Sequence, residues 1–334
     1  MRVPADLLRQ MVVTSLERRG APSDKARLQA ELLVEAELRG LPSHGVQRLP
    51  RLLRRIERGL ANPRTIGTRQ WTRQAFLSID GERGLGPVVV MAAMDELAQA
   101  VTSCGIAIAA IRNTNHIGML AYYAEAAALA GQVGIVMSTS EALVHPYGGT
   151  QAMLGTNPIA VGIPTASDPF LLDLATSIVS MGKIHNHALR GEPIPAGWAV
   201  DAAGRSTTDP EAAKAGAIAP FGDAKGYGLG LAIELLVALL AGSDIAPDVR
   251  GTLDDTNPAT KGDLLILINP AAGTGEAAVL TAYLDRLRAS RPAEAQRPVA
   301  IPGDRSRARR ARAMTTGIDV PDALFDTLAA LAAA

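Results

Sequence analysis

The segment Ser43-His44-Gly45-Val46-Gln47-Arg48 sets a histidine four residues ahead of an arginine. If a helix starts there, that spacing puts imidazole and guanidinium on one face. An imidazole trades protons near neutrality. A guanidinium holds a planar carboxylate through two parallel hydrogen bonds. The plainer reading makes Ser43 a helix cap with His44 and Arg48 solvated, and on this segment alone it is favoured. His116 poses the same question more sharply. It follows the apolar run Gly105–Ile111 and precedes an Ala-rich helical run, so a buried strand would hold it rigidly in a loop, where catalytic residues concentrate. A histidine bonded only to loop backbone fits that position equally well.

A third group is dispersed. Gly148, Gly149 and Gly155 permit close backbone approach to a ligand. Asp173 ends an apolar strand, and Thr176 could cap the next helix. Lys225 opens a long apolar helix, where the dipole disfavours a cation unless it serves another anion; a solvated lysine is the simpler alternative. Gly81, Gly84 and Gly86 cluster between a strand and a helix, but without the spacing that seats a pyrophosphate on a helix N-terminus. His185 and His187 form an H-x-H with no further ligand at metal spacing, so no metal is expected. Cys104, the one cysteine, reads as a buried apolar residue. The run "DRSRARRARA" is either a phosphate patch or a solvated helix face.

These residues need elements to position them. Pro4, the repeats of Leu7, Leu8, Met11, Val12 and Leu16, and Gly20 outline a first helix. A second follows over 22–40, with Ser23 as cap and Gly40 as stop, and a third over 45–59, started afresh at Pro50. The texture then changes. Strands are expected at "AFLSID", "GIAIAAI", "VGIVMST", "PIAVGIP", "PFLLDLA" and "DLLILINP". Helices are expected at "GPVVVMAAMDELAQAVTSCG", "KGYGLGLAIELLVALLAG", "RSRARRARA" and "PDALFDTLAALAAA". "SRPAEAQRP" is the best linker. The class is α/β, not obviously doubly wound.

Composition narrows the partners. The chain has 334 residues, 33 basic against 33 acidic, so net charge gives no reason to expect nucleic acid or an anionic membrane. A single cysteine excludes an internal disulfide and fits a reducing compartment. The N-terminus lacks the apolar core of a signal peptide, and no run approaches the ~20 apolar residues that span a bilayer. A cytoplasmic location is expected.

Taken together, "LRGLPSHGVQRLP", "NTNHIGMLAYYA", "GGTQAMLGTNPIAVGIP", "DLATS", "GKI", "IPAGWAVDAAGRSTTDP" and "KGYGLGLAIELL" resemble the malate/L-lactate dehydrogenase family of the second type. That family includes sulfolactate, ureidoglycolate and diketogulonate dehydrogenases and cyclic imino acid reductases. The resemblance implies a non-Rossmann α/β fold of sulfolactate-dehydrogenase type. A helical domain, 1–70 joined by 305–334, would pack on an α/β cofactor domain, 71–304. It implies a homodimer and hydride transfer between NAD or NADP and a small 2-hydroxy or 2-oxo acid. Reduction of a cyclic 2-imino acid is the alternative, and a catalytically silent ligand-binding homologue the alternative of another class. By motif, His116 would donate and accept the proton, with His44 also catalytic. Arg48 and Ser43 would lie beside the substrate, and Ser140, Asp173, Leu174, Ala175, Thr176 and Lys225 beside the cofactor. Three positions depart from the family pattern: Thr114 where Ser is common, Asp223 in place of a glycine, and Asp304 in place of a Glu. The segment 243–300 matches only loosely.

Overall fold

The computed structural model describes residues 1–333. Seven strands form one sheet in the order Thr68–Arg73, Phe76–Asp80, Ile106–Arg112, Gly262–Ile268, Val133–Ser138, Ile159–Ile163, Phe170–Leu174. Phe76–Asp80 and Ile106–Arg112 run parallel, and every other ladder is antiparallel. That pattern is not the parallel doubly wound sheet of the Rossmann type. The fold is α/β and non-Rossmann. Gly262–Ile268 is apolar almost throughout because both its faces are covered. Leu265 and Leu267 turn to the helices Gly86–Cys104 and Ala121–Leu129, while Leu264 and Ile266 turn to Ala224–Ala241.

A second core joins the helices Ala5–Glu17, Ser23–Leu38 and Leu49–Glu57 to the C-terminal helix Asp322–Ala333. Arg2–Val3 pairs with Ile318–Asp319, which ties the two ends of the chain together. Ser23–Leu38 bridges the layers: Leu32 packs in the sheet core, whereas Leu33 and Val34 pack in the helical core. Helix Asp304–Thr316 lies against it, with Arg310 Nε donating to Glu35 Oε1 at 2.6 Å. A smaller unit surrounds Val179, Ile184 and Ile194. There the helices Met181–Arg190 and Pro210–Lys214 flank the three short strands Ala199–Val200, Ser206–Thr207 and Ala217–Ile218.

Several expectations need correction. The third helix does start afresh at Pro50, the second residue of Leu49–Glu57, but residues 45–48 are not helix of the same kind. Two 3₁₀ turns, Pro42–His44 and Val46–Arg48, precede Leu49–Glu57, because Gly45 is extended between them. His44 and Arg48 therefore do not share a helix face. Ser23 does not cap its helix; Pro22 precedes it, and the Ser23 hydroxyl donates to Glu17. Strand Thr68–Arg73 and helix Ala277–Arg288 carried no clear signal, since each is exposed along most of its length. Cys104 is half-buried, its thiol 3.6 Å from the Gln74 carbonyl. Helix Ala224–Ala241, at mean hydropathy 1.6 over 18 residues, is apolar and long enough by composition to cross a membrane, and only 33% of it is buried. Its inward face carries Ile233 and Val237, and Glu234, which accepts hydrogen bonds from Asn157 Nδ2 at 2.6 Å and the Ala246 N–H at 3.0 Å.

Candidate active site

His116 leaves the sheet at the end of Ile106–Arg112, and its loop is pinned from three sides. Asn115 donates to the carbonyls of Arg83 and Gly84 at 2.7 and 3.2 Å and accepts from Arg55 Nε at 2.8 Å. Arg55 in turn donates to the carbonyls of Asp254 and Asn257, each at 2.9 Å. The glycine cluster of the sequence finds its purpose here. A Cβ on Gly86 would sit 2.3 Å from the His116 carbonyl oxygen, and one on Gly81 would sit 2.7 Å from Thr114 Cβ. These glycines let the start of helix Gly86–Cys104 and the preceding turn lie directly against the histidine loop. Gly118 then turns the chain at φ +81°, and any side chain on it would run into Leu32.

The Gly118 N–H donates to His116 Nδ1 at 2.9 Å. With Nδ1 an acceptor, the ring proton of neutral His116 sits on Nε2. Burial, then the charges of Arg48, His44, Lys261 and Arg51, hold the imidazole well below its ordinary value, so it stays neutral at pH 7. His44 stands beside it, ring centroids 5.4 Å apart. Burial, then Arg48, lowers His44 to about 4. Its Nδ1 lies 3.0 Å from Ser43 Oγ. Arg48 donates through Nε to the Ser43 carbonyl at 2.7 Å, and among the described residues its two terminal nitrogens have no protein partner. Burial, then repulsion from Arg51, brings Arg48 down to about 10, so it remains charged. Glu37 braces the same turn by accepting from the Val46 N–H at 2.9 Å. Burial raises the Glu37 carboxyl to about 7.

Two cavities of about 540 and 550 Å³ meet at Ser43, His44 and Gly118, each large enough for a small ligand. The first contains Arg48, Arg51, His116, Ser140 and Lys261. The second runs past Asp173, Leu174 and Ala175 to Gly303, Arg305 and Arg309. Asp173 Oδ2 accepts the Ala121 N–H at 2.9 Å at the start of Ala121–Leu129, and desolvation by the surrounding protein raises its carboxyl to about 6. Ser140 Oγ accepts the Thr156 N–H at 3.0 Å.

Two residues that the resemblance places near the cofactor line neither cavity. Thr176 is turned inward, donating to the Thr156 carbonyl at 3.0 Å beneath Gly230. Lys225 is exposed at the start of Ala224–Ala241. Conversely, Lys261 was not anticipated. It is 1% exposed, lines the first cavity and is hydrogen-bonded to buried Asp263, which also accepts from Ser138 Oγ at 2.7 Å. The signal was present: Lys261 and Asp263 alternate at the head of an otherwise apolar strand, which points both charges to one face. Arg51, beside Arg48 in the same cavity, and His185, on its rim, were also missed.

The comparisons agree with this geometry. The family model for malate/L-lactate dehydrogenase matches residues 3–329. The chain is 37% identical over 299 residues to L-sulfolactate dehydrogenase of Methanocaldococcus jannaschii, covering 89% of this chain and 86% of that one. It is 36% identical over 315 residues to a Delta(1)-pyrroline-2-carboxylate reductase of Ancylobacter novellus, covering 93% and 92%. Its backbone matches the crystal structure of a dehydrogenase from Sinorhizobium meliloti with a TM-score of 0.97 at 70% identity, over 99% of this chain and 98% of that one. Two adjoining cavities, one lined by two arginines beside a neutral imidazole, suit such an activity, and the chain belongs to the malate/L-lactate dehydrogenase family of NAD(P)-dependent oxidoreductases, which act on small hydroxy and oxo acids or related cyclic imino acids.

Proposed function

We propose that the chain reduces a small 2-oxo acid to the 2-hydroxy acid, and catalyses the reverse oxidation, with substrate in the first cavity and NAD(P) in the second. The observation that carries this reading is the pair His116 and Arg48 in one cavity, a neutral Nε2–H beside a guanidinium whose terminal nitrogens are free. The substrate carboxylate rests on Arg48, with Arg51 adding positive charge. The C2 oxygen then meets the Nε2–H of His116. Bound nicotinamide supplies or accepts the hydride. Negative charge builds on the oxygen during reduction, the Nε2–H donated to it there lowers the barrier, and the oxygen takes its proton from solvent water. In the oxidation the hydroxyl proton leaves to solvent, because Nε2 already carries one and has no lone pair to take another. His44 and Ser43 stand at the junction of the two cavities, where the reacting ends of both ligands meet. An iminium nitrogen has no lone pair to accept from Nε2–H, which favours the oxo acid over a protonated imine.

Following reduced-cofactor absorbance against a panel of 2-oxo acids and cyclic imines tests the reading, and Arg48→Lys sharpens it. The oxo acids are turned over, and the lysine variant raises KM about tenfold or more because the planar fork is lost. Turnover confined to imines, or an unchanged KM, contradicts it. His116→Leu, which keeps the bulk and removes the donor, lowers kcat by about 10²–10³-fold. Near-normal turnover in that variant would take His116 out of the chemistry.

The same reading includes a homodimer. Leu235, Leu236 and Leu239 are 52%, 39% and 82% exposed along one apolar helix, and a second copy of this chain is the covering surface that fits them. Sedimentation at micromolar concentration gives a dimer for the wild type and a folded monomer for Leu239→Glu. A wild-type monomer sinks the proposal.

A further inference from the structure

The arginine-rich helix Asp304–Thr316 has no part in the chemistry above, yet its arginines are not alike. Arg310 donates to Glu35 at 2.6 Å, and Arg307 donates to Asp304 and to the Pro169 carbonyl, each at 3.0 Å. Arg305 and Arg309 sit one turn apart on one helix face. Among the described residues neither has a hydrogen bond or an ion pair, and both line the second cavity beside Ser306.

Asp304, the carboxylate nearest these arginines, is fully engaged. Asp304 accepts from Arg288 at 2.9 and 3.0 Å, from Arg307 and from the Ile301 N–H at 3.0 Å. The Arg288 hydrogen bonds hold its carboxyl down at about 2. Asp173 is bonded to the Ala121 N–H. Across the cavity, Arg39 is paired with Glu35 and Glu125, but its buried Nη1 has no partner. Two guanidinium groups without a partner and the first turn of a helix face the same space. Guanidinium groups hold phosphate oxygens well, and a helix start favours an anion.

We propose that Arg305 and Arg309 bind the 2′-phosphate of NADP, so that the enzyme prefers NADP(H) to NAD(H). The inference rests on the second cavity being the cofactor cavity. The residues present fit that cofactor: the far end is cationic and unpaired, while the near end opens on His44. Calorimetric titration of NADPH and NADH into wild type, the Arg305→Ala/Arg309→Ala double variant and Arg309→Lys separates the possibilities without turnover. The wild type binds NADPH at least about tenfold more tightly than NADH, and added salt narrows the gap. The double variant brings the two dissociation constants together, and the lysine variant, which keeps the charge, retains part of the preference. Equal affinity in the wild type, or a preference that survives the double substitution, overturns the phosphate site alone. Failure of the wild type to bind either cofactor overturns the cavity assignment beneath it.

Discussion

The hydrogen bond from the Gly118 N–H to His116 Nδ1 decides which nitrogen of the ring can meet a substrate. It exists because residue 118 adopts a positive φ and leaves no side chain against Leu32. Leu32 belongs to Ser23–Leu38, the helix shared by the two main cores. Gly86 makes the matching accommodation on the other side, where helix Gly86–Cys104 touches the His116 carbonyl. Packing between layers thus sets the tautomer of one imidazole. Tyr123 adds a further clamp, its buried hydroxyl donating to the Ile117 carbonyl.

Charge around this ring is arranged to keep it neutral while leaving one cationic fork available. Arg55 is spent on Asn115 and two carbonyls, and Lys261 on Asp263. Arg48 keeps its terminal nitrogens free, with Arg51 beside it. The surplus positive charge suits an anionic ligand and opposes a second proton on either histidine. Burial works in the same direction, because an imidazolium loses its hydration when enclosed.

Much of the fold was legible in the sequence, and for identifiable reasons. The apolar strands from Phe76 to Ile268 and the helices with Gly or Pro at their ends announced themselves by periodicity and punctuation. The polar strand Thr68–Arg73 did not, since an exposed partner of a single neighbour needs no apolar alternation. His116, Arg48 and Ser43 were singled out by residue type and then by the family resemblance, and they line one cavity. Lys225, singled out by its helix start and by motif, is exposed and lines neither cavity. Lys261 was overlooked because a lysine ahead of an apolar strand looks solvated until its Asp263 partner is seen inside. Arg307 pairs with Asp304 inside the run, but the pairing of Arg310 with Glu35, far away in sequence, could not be read from the run itself.

The central claim is that His116 presents a neutral Nε2–H to the substrate oxygen. Nitrogen-15 NMR of histidine-labelled protein, with His116→Leu to assign the signal, reads both the tautomer and the protonation state. A free imidazole would be half protonated near pH 6.5. Burial and the surrounding cations lower His116, so the charged form is disfavoured and protonation is displaced to more acid solution. The account predicts an Nε2–H tautomer whose shifts do not move between about pH 8 and pH 5.5. A proton on Nδ1, or a titration centred near 6.5, would contradict it.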